Sequence, residues 1–418
     1  MNTFGAAIFL AAVFLFATFL NWYVFQAIKT LSLSVAEEKN RTIISIVYWI
    51  IFQGLSVWLI LTFLKVFRMG EITADIQTVM NIFLTIMVTQ MVCILVLFGE
   101  DVLRNLQAGF QYVSGGFQGI PFPSRNKWVS LVAIMLATVP FFSFVYGIKY
   151  GKFNYQVKEE ILYFDDLPAA FDGFRVVQIS DIHSGSFKDD QGIQKGIELV
   201  KLQKADLFVF TGDLVNHKAD EIEPFIPNFA QIKTPYGQFS IIGNHDYGDY
   251  VSWENAAAKK QNFERLQANH AKLGWKLLND THVKIEKEGQ HIVLMGVENW
   301  GLGFKTQGDL NKALEGVESD DFKILLSHDP SHWEAEVKNH VMPIHLTLSG
   351  HTHGMQFGIE TPLFRWSPVQ YRYPNWAGLS ESKGRYLYVN RGFGFHAFSG
   401  RVGIWPEITV IELRRKGE

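Results

Sequence analysis

The sequence predicts an α/β catalytic domain behind an all-α four-helix transmembrane domain. Four long apolar runs fill the first third of the chain, and beyond them short apolar, often β-branched runs alternate with amphipathic stretches. Five of the later runs end directly in clusters of Asp, His and Asn. About 20 apolar residues cross a bilayer core as a helix. Strand, helix, strand units imply a largely parallel sheet, and polar groups past the carboxyl ends of its strands share one edge. The expected boundary divides residues 1–150, the anchor, from residues 151–418, the catalytic domain.

Hydrophobic residues make up 48% of the 418, an excess that lies in the first third. The net charge of −3 gives no pull toward a polyanion, so nucleic acid is not expected as a partner. The single cysteine, Cys93, lies inside an apolar run and excludes an intrachain disulfide, leaving the redox compartment undefined.

The apolar runs lie near Phe4 to Ile28, Ile43 to Leu64, Val79 to Phe98 and Trp128 to Ile148. The first lacks a basic start and is followed by three more, which excludes a cleaved signal peptide. No ionisable residue sits near the middle of any run, so the four helices read as an anchor rather than a transport pathway. Lys29, Lys39, Arg41, Arg104, Arg125 and Lys127 lie in the connectors after helices one and three, against Lys65, Arg68, Lys149 and Lys152 on the other side. Six against four places the first set in the cytoplasm and the domain beyond helix four on the extracytoplasmic face. Between helices three and four, residues 107–127 read as a solvated connector rich in Gly, Phe and Pro.

From residue 153 onward the elements follow in order. Tyr155 to Phe164 reads as a strand, Leu167-Pro168 as a turn, and Phe174 to Ser180 as the strand delivering Asp181. A helix from Gln191 to Leu202 faces a sheet through Ile193, Ile197 and Val200. Leu207 to Thr211 runs into Gly212-Asp213, and an apolar strand ends at Ile241-Ile242 before Gly243-Asn244-His245-Asp246. A helix spans Trp253 to Leu273, and a strand pair turns at Lys287-Glu288-Gly289. Ile324 to Ser327 delivers His328-Asp329, and Leu346 to Ser349 delivers Gly350-His351-Thr352-His353. Tyr386 to Asn390 and Glu407 to Leu413 are the closing strands.

These junctions bring four imidazoles, two carboxylates and an amide to one edge: Asp181, His183, Asp213, Asn244, His328, His351 and His353. That is too many donors for one tetrahedral ion and suits two divalent ions of intermediate softness, Mn, Fe or Zn, with Mn favoured. Asp213 is the expected bridge, because one carboxylate offers two oxygens. Paired ions make hydroxide available from a shared water near neutral pH and neutralise a phosphoryl group. His245 stands beside a ligand yet is surplus to the set, so it is the expected general acid, with Asp246 orienting its ring.

Asp181-x-His183, Gly212-Asp213, Gly243-Asn244-His245-Asp246, His328 and Gly350-His351-x-His353 together resemble the calcineurin-like metallophosphoesterase superfamily, in the same order, over roughly residues 155–415. The resemblance implies a four-layer α-β-β-α sandwich. It also implies one metal on Asp181, His183, Asp213 and His353 and a second on Asp213, Asn244, His328 and His351. The fused anchor, the Ser-Asp-Ile-His start and Arg391-Gly392-Phe393-Gly394 are similar to a membrane-associated bacterial branch, some of whose members cleave the pyrophosphate of a UDP-linked diacylated glucosamine. Met355 departs from that branch, which often has a second glycine there, and a side chain at this point narrows the pocket mouth.

Other residues read more plainly. His217, His270, His282, His291, His332 and His340 are expected to be ordinary structural or surface imidazoles, and His345 a structural one. His396 belongs to a surface loop or to a rim over the metals. Arg391 and Arg401 either clamp a phosphate or pair with carboxylates. The expected function is a membrane-anchored hydrolase of a phosphoester or pyrophosphate bond, acting through hydroxide bridging two metals on a phosphorylated small molecule or lipid. Its narrower form is a UDP-diacylglucosamine-type lipid pyrophosphatase of envelope metabolism. A catalytically silent metal sensor is the reading from another class, and His245, which a binding module does not need, argues against it. The oligomeric state is not written in the sequence.

Overall fold

The computed structural model describes residues 3–69, 74–115, 122–188 and 190–417. It divides into two compact units, Met1–Tyr146 and Gly147–Glu418.

The first unit is built from helices α1 (Thr3–Val35), α2 (Glu38–Met69), α3 (Ala74–Ser114) and α4 (Lys127–Lys149), each long and apolar enough to span a membrane. At most 22% of each apolar window is buried inside the protein, so most of the apolar surface faces outward, as lipid requires. Small residues let the helices approach: Ala27, Ala133 and Ala137 pack with Cys93 and Leu97. Gln90 donates to Asn21 Oδ1 at 2.7 Å, and the Tyr48 hydroxyl donates to the Asn21 carbonyl at 2.8 Å, satisfying polar groups that lipid cannot.

Helix α3 differs from its expected length. It runs past Phe98 to Ser114, 41 residues in all, so part of the expected connector is helical. At about 1.5 Å per residue it outreaches a bilayer core. The extension opens with Glu100, Asp101 and Arg104 and also exposes Leu103, Leu106, Phe110 and Val113, and its start is fixed by Arg125, which pairs with Glu100 at 2.9 Å and with Asp101 at 2.6 Å. Residues 116–121 of the connector lie outside the described residues.

The second unit carries two six-stranded sheets. Strands β1 (Gln156–Phe164), β2 (Phe174–Ile179), β3 (Leu207–Phe210), β4 (Gln238–Ser240) and β5 (Lys276–Leu277) belong to the first. The second holds β6 (Thr281–Lys287), β7 (Gln290–Gly296), β8 (Lys323–Leu326) and β9 (Leu346–Ser349). A small ribbon follows, β10 (Ile359–Glu360) with β11 (Arg365–Trp366). Strands β12 (Gly378–Ser382) and β13 (Arg385–Val389) complete the second sheet, and β14 (Glu407–Arg415) returns to the first. The orders are β1-β14-β2-β3-β4-β5 and β12-β13-β9-β8-β7-β6.

The sheets are largely parallel, as expected, with antiparallel pairing at β14–β2, β6–β7 and β12–β13. β14 inserts between β1 and β2, parallel to the first and antiparallel to the second, and β6 and β12 are hairpin partners of β7 and β13. The centres, β2-β3-β4 and β7-β8-β9, are parallel. Their carboxyl ends are where the site forms.

Three cores make four layers. Val176, Leu207, Val209 and Ile241 of the first sheet meet Leu294, Ile324, Leu326 and Leu348 of the second. Outside the first sheet, Ile193, Ile197 and Val200 of α5 (Gln191–Leu202) pack on Val177, Ile179 and Phe208, with α6 (Ile226–Phe229) and α7 (Ala256–Leu273) beside them. Outside the second, α8 (Leu310–Ala313) and α9 (Ser331–Ala335) cover Val293, Met295 and Leu325. This is the expected α-β-β-α sandwich. Helix α7 starts at Ala256 rather than Trp253 because Asn255 caps it, its side chain accepting from Ala258 N at 2.8 Å, while the Trp253 indole donates to the Gly248 carbonyl.

Candidate metal centre and active site

Both sheets deliver their polar clusters to one place. Asp181, Asp213 and Asn244 follow β2, β3 and β4, while His328, His351 and His353 follow β8 and β9. Cross-sheet bonds fix the meeting: Gln178 Nε2 donates to the Ser349 carbonyl at 2.9 Å, His328 Nδ1 donates to the Thr211 carbonyl at 2.7 Å, and His351 N–H donates to Asp181 Oδ2 at 3.0 Å.

Three groups of metal-type donors result among the described residues, each with its ligand atoms within 4.8 Å of one another: Asp181, His183 and His353; Asp213, His328 and His351; and His183, His245 and His396. Asp213 links the first two. Its Oδ2 is 3.5 Å from His183 Nε2 and 3.1 Å from His328 Nε2, and its Oδ1 accepts the His245 backbone N–H at 2.9 Å. Asn244 gives its amide nitrogen to the Tyr250 hydroxyl at 2.8 Å, which leaves a buried Oδ1 with no hydrogen-bond partner. An orphaned buried acceptor among carboxylates and imidazoles is a donor set that fits a divalent cation.

The backbone is bent to achieve this. Asp181, His183, Asp213, His351 and His353 all have positive φ, between 48° and 71°. Such conformations cost about 1–3 kcal/mol each for a non-glycine residue and gather at functional sites. Gly243 and Gly350 allow the close approach: a Cβ on Gly243 would strike Asp213, and one on Gly350 would strike Ser180 and Asp181.

A model of the calcineurin-like phosphoesterases matches residues 174–355, the stretch that contains every one of these junctions. The metallophosphoesterase YkuE of Bacillus subtilis (strain 168) is 30% identical over 253 residues, covering 59% of this chain and 82% of the relative. The chain belongs to the calcineurin-like metallophosphoesterases. A second model, described as "Probable Calcineurin-like phosphoesterase, transmembrane domain", matches residues 6–152. A transmembrane protein with metallophosphoesterase domain from Danio rerio is 28% identical over 282 residues, 65% of this chain and 60% of its own length. The UDP-2,3-diacylglucosamine pyrophosphatase LpxG of Chlamydia muridarum (strain MoPn / Nigg) is 28% identical over 264 residues, 53% of this chain and 78% of the relative. The protein is thus a membrane-associated metallophosphoesterase, a hydrolase.

The electrostatics of this metallophosphoesterase suit cation binding. Burial would raise the Asp213 carboxyl, but His328, His245 and His183 beside it outweigh burial and hold it well below the usual carboxylate range. Burial, with His396 close by, pushes His183 well below the usual imidazole value. An ionised carboxylate and a neutral imidazole are the forms that ligate metal, and His328, which burial lowers but Asp213 and Asp181 raise to about 10, would release a proton on taking up a cation.

Asp246 is placed differently from expectation. Its buried carboxylate accepts backbone N–H groups of Asp213, Leu214, Val215 and Gly243 at 2.8–3.2 Å, tying the β3 and β4 loops together. It does not hold the His245 ring, because Asn216 does: His245 Nδ1 donates to the Asn216 carbonyl at 2.9 Å. The Asn216 side-chain oxygen also takes His183 Nδ1 at 3.1 Å and His396 Nδ1 at 3.2 Å.

His396 and His217 also belong to the site. The His396 ring lies 4.7 Å from that of His183 and 4.5 Å from that of His245, and His217 is buried 6.1 Å from both His245 and His396. Only their place after a site strand, or in the glycine-rich tail, hinted at this, and neither spacing is distinctive. Arg391 pairs with Glu407 and Glu360, while buried Arg401 donates to the carbonyls of Arg391, Gly392 and Gly394 and lies 3.2 Å from His353 Nδ1, so it also positions a candidate ligand.

Proposed function

We propose that residues 151–418 hydrolyse a phosphoester or pyrophosphate bond with two divalent ions, Mn foremost, while residues 1–150 hold them at the membrane. The observation that carries this reading is Asp213, whose carboxylate stands between the two donor groups. On this reading Asp181, His183, Asp213 and His353 hold one ion, and Asp213, Asn244, His328 and His351 hold the other. When bound, such a pair acidifies a water and offsets phosphoryl charge.

The chain's own residues supply the rest. The His245 Nδ1–H is spent on the Asn216 carbonyl, which turns Nε2 to the substrate; as an imidazolium the ring would hand its second proton, on Nε2, to the leaving oxygen and be left neutral with the Nδ1 proton in place. Asp246 holds the loops that carry Asp213 and Asn244 in register. The matched Chlamydia relative is named for a UDP-diacylglucosamine pyrophosphate, and a lipid-linked pyrophosphate is the substrate class we favour here. The excess of Lys and Arg after helices one and three supports an extracytoplasmic catalytic domain.

The test is a panel of an aryl phosphomonoester, an aryl phosphodiester and UDP-2,3-diacylglucosamine, offered to chelator-treated full chain with and without Mn. Turnover that needs Mn and is highest on the pyrophosphate is expected. Undiminished turnover after complete chelation would refute the reading.

A further inference from the structure

Past His353 the chain leaves both large sheets and builds the β10–β11 ribbon, paired only through Ile359 with Trp366 and Glu360 with Arg365. A free two-stranded ribbon is marginal in water. The ribbon and the turns on either side of it also present apolar side chains outward: Leu363 is 98% exposed, Phe364 55% and Ile359 51%, with Met355 at 58% in the turn before and Tyr371 at 80% in the turn after. Met355 keeps a φ of 54°, a glycine-like backbone conformation, with a large apolar side chain in the open. Grouped exposure of this kind marks a surface that meets something.

The charges say what it meets. From Thr361 to Tyr373 there is no Asp or Glu, while Arg365 and Arg372 are exposed. The acid just before, Glu360, is matched by Arg391 at 2.7 Å. Apolar tips flanked by arginine and by aromatic rings with a polar end are the composition of the bilayer interface, with arginine on lipid phosphates. The same chain carries four helices long and apolar enough to span a membrane.

The ribbon is also tied to the site. Ser367 Oγ donates to the Gly354 carbonyl at 2.8 Å, next to His353. Arg372 donates to the Leu302 carbonyl at 2.8 Å and lies over Phe304, whose ring is 4.7 Å from that of His351. The segment that follows the ribbon is therefore fastened beside two candidate ligands, at Gly354 next to His353 and, through Arg372 and Phe304, at His351.

We propose that this ribbon seats in the headgroup layer of an anionic bilayer, with Leu363 and Phe364 among the acyl chains and Arg365 and Arg372 on phosphates, so that substrate enters the site from the membrane plane. The seating stands on the surface alone; substrate entry rests on the function proposed above.

The seating is read with the full chain in nanodiscs, in a Cys93→Ser background, with an environment-sensitive fluorophore at Leu363→Cys or, as control, at Glu288→Cys in the β6–β7 turn. Nitroxide-labelled lipid should quench the Leu363 probe at least threefold more than the control, and more in anionic than in neutral discs. Equal quenching overturns the proposal, as does a Leu363 probe shielded only when the protein self-associates, which would mark a protein partner. Entry is read with the double variant Leu363→Glu, Phe364→Glu. Hydrolysis of a soluble aryl phosphodiester should stay within twofold of wild type, while hydrolysis of vesicle-borne dioleoylglycerol pyrophosphate falls at least tenfold. Equal losses on both would make the ribbon merely structural and overturn entry. Wild type inactive on both substrates would instead defeat the hydrolase reading, with the quenching result still standing.

Discussion

Asn216 presents two oxygens to three rings, the side-chain oxygen to His183 and His396 and the carbonyl to His245. An amide or carbonyl oxygen only accepts, so each ring must carry its proton on Nδ1, and the nitrogen left for metal or substrate is Nε2. Partners that fix a ligand's tautomer this way are worth about 10–100-fold in metal affinity. Asn216→Leu should therefore weaken Mn binding by about that factor in a calorimetric titration, and Asn216→Asp, whose oxygen accepts the same two N–H groups, should recover most of it. Unchanged affinity in the leucine variant would remove the role. His245→Ala tests the proton donor separately: kcat on an aryl phosphodiester should fall by about 10²–10⁴ while metal content by elemental analysis stays at the wild-type value. Parallel loss of metal and turnover would instead make His245 part of the cation site.

At the scale of elements, the strand-to-loop junction is the repeated unit, and its cost is the left-handed backbone at Asp181, His183, Asp213, His351 and His353. Gly350 shows how little room the junction leaves, since its Cβ position is taken by Ser180 and Asp181. Gly350→Ala should push the β9 loop off Asp181, and we expect metal content to fall below half of wild type while the far-ultraviolet circular dichroism is unchanged. Full metal content would show that the loop yields. The seven candidate ligands were legible because each follows a buried run that periodicity marks as a strand, and α5 was legible to the residue because Ile193, Ile197 and Val200 repeat at helical spacing. Asn216 and His217 were not, and His396 only as one of two alternatives, because they come to the site by loop geometry that no period records. The ribbon was hidden for a related reason: two-residue strands are too short to alternate. The insertion of β14 between β1 and β2 depends on pairing across the whole chain, which local pattern does not specify.

Across the whole molecule, folding buries imidazoles that acid must charge. His270 on α7 is fully buried, with Nδ1 on Ser240 Oγ at 2.9 Å and Nε2 without a partner. Burial pushes it down to about 3, against about 6.5 in an unfolded chain. The unfolded state thus takes the proton first, so the stability His270 contributes is fully present above about pH 6.5 and is lost as pH falls from there toward 3, at up to about 1.4 kcal/mol per unit. Going from pH 7.5 to 5.5 should cost about 1.4 kcal/mol through this one group. His270→Gln keeps a partner for Ser240 and removes the titration, so its melting temperature should fall less over that interval than that of wild type. His183 and His396 are also held low by burial, but His183 is a candidate ligand and His396 stacks on it, and they shift both proteins alike at a fixed metal concentration. The difference between the two slopes isolates His270, and identical slopes would mean that water reaches its ring in the folded protein.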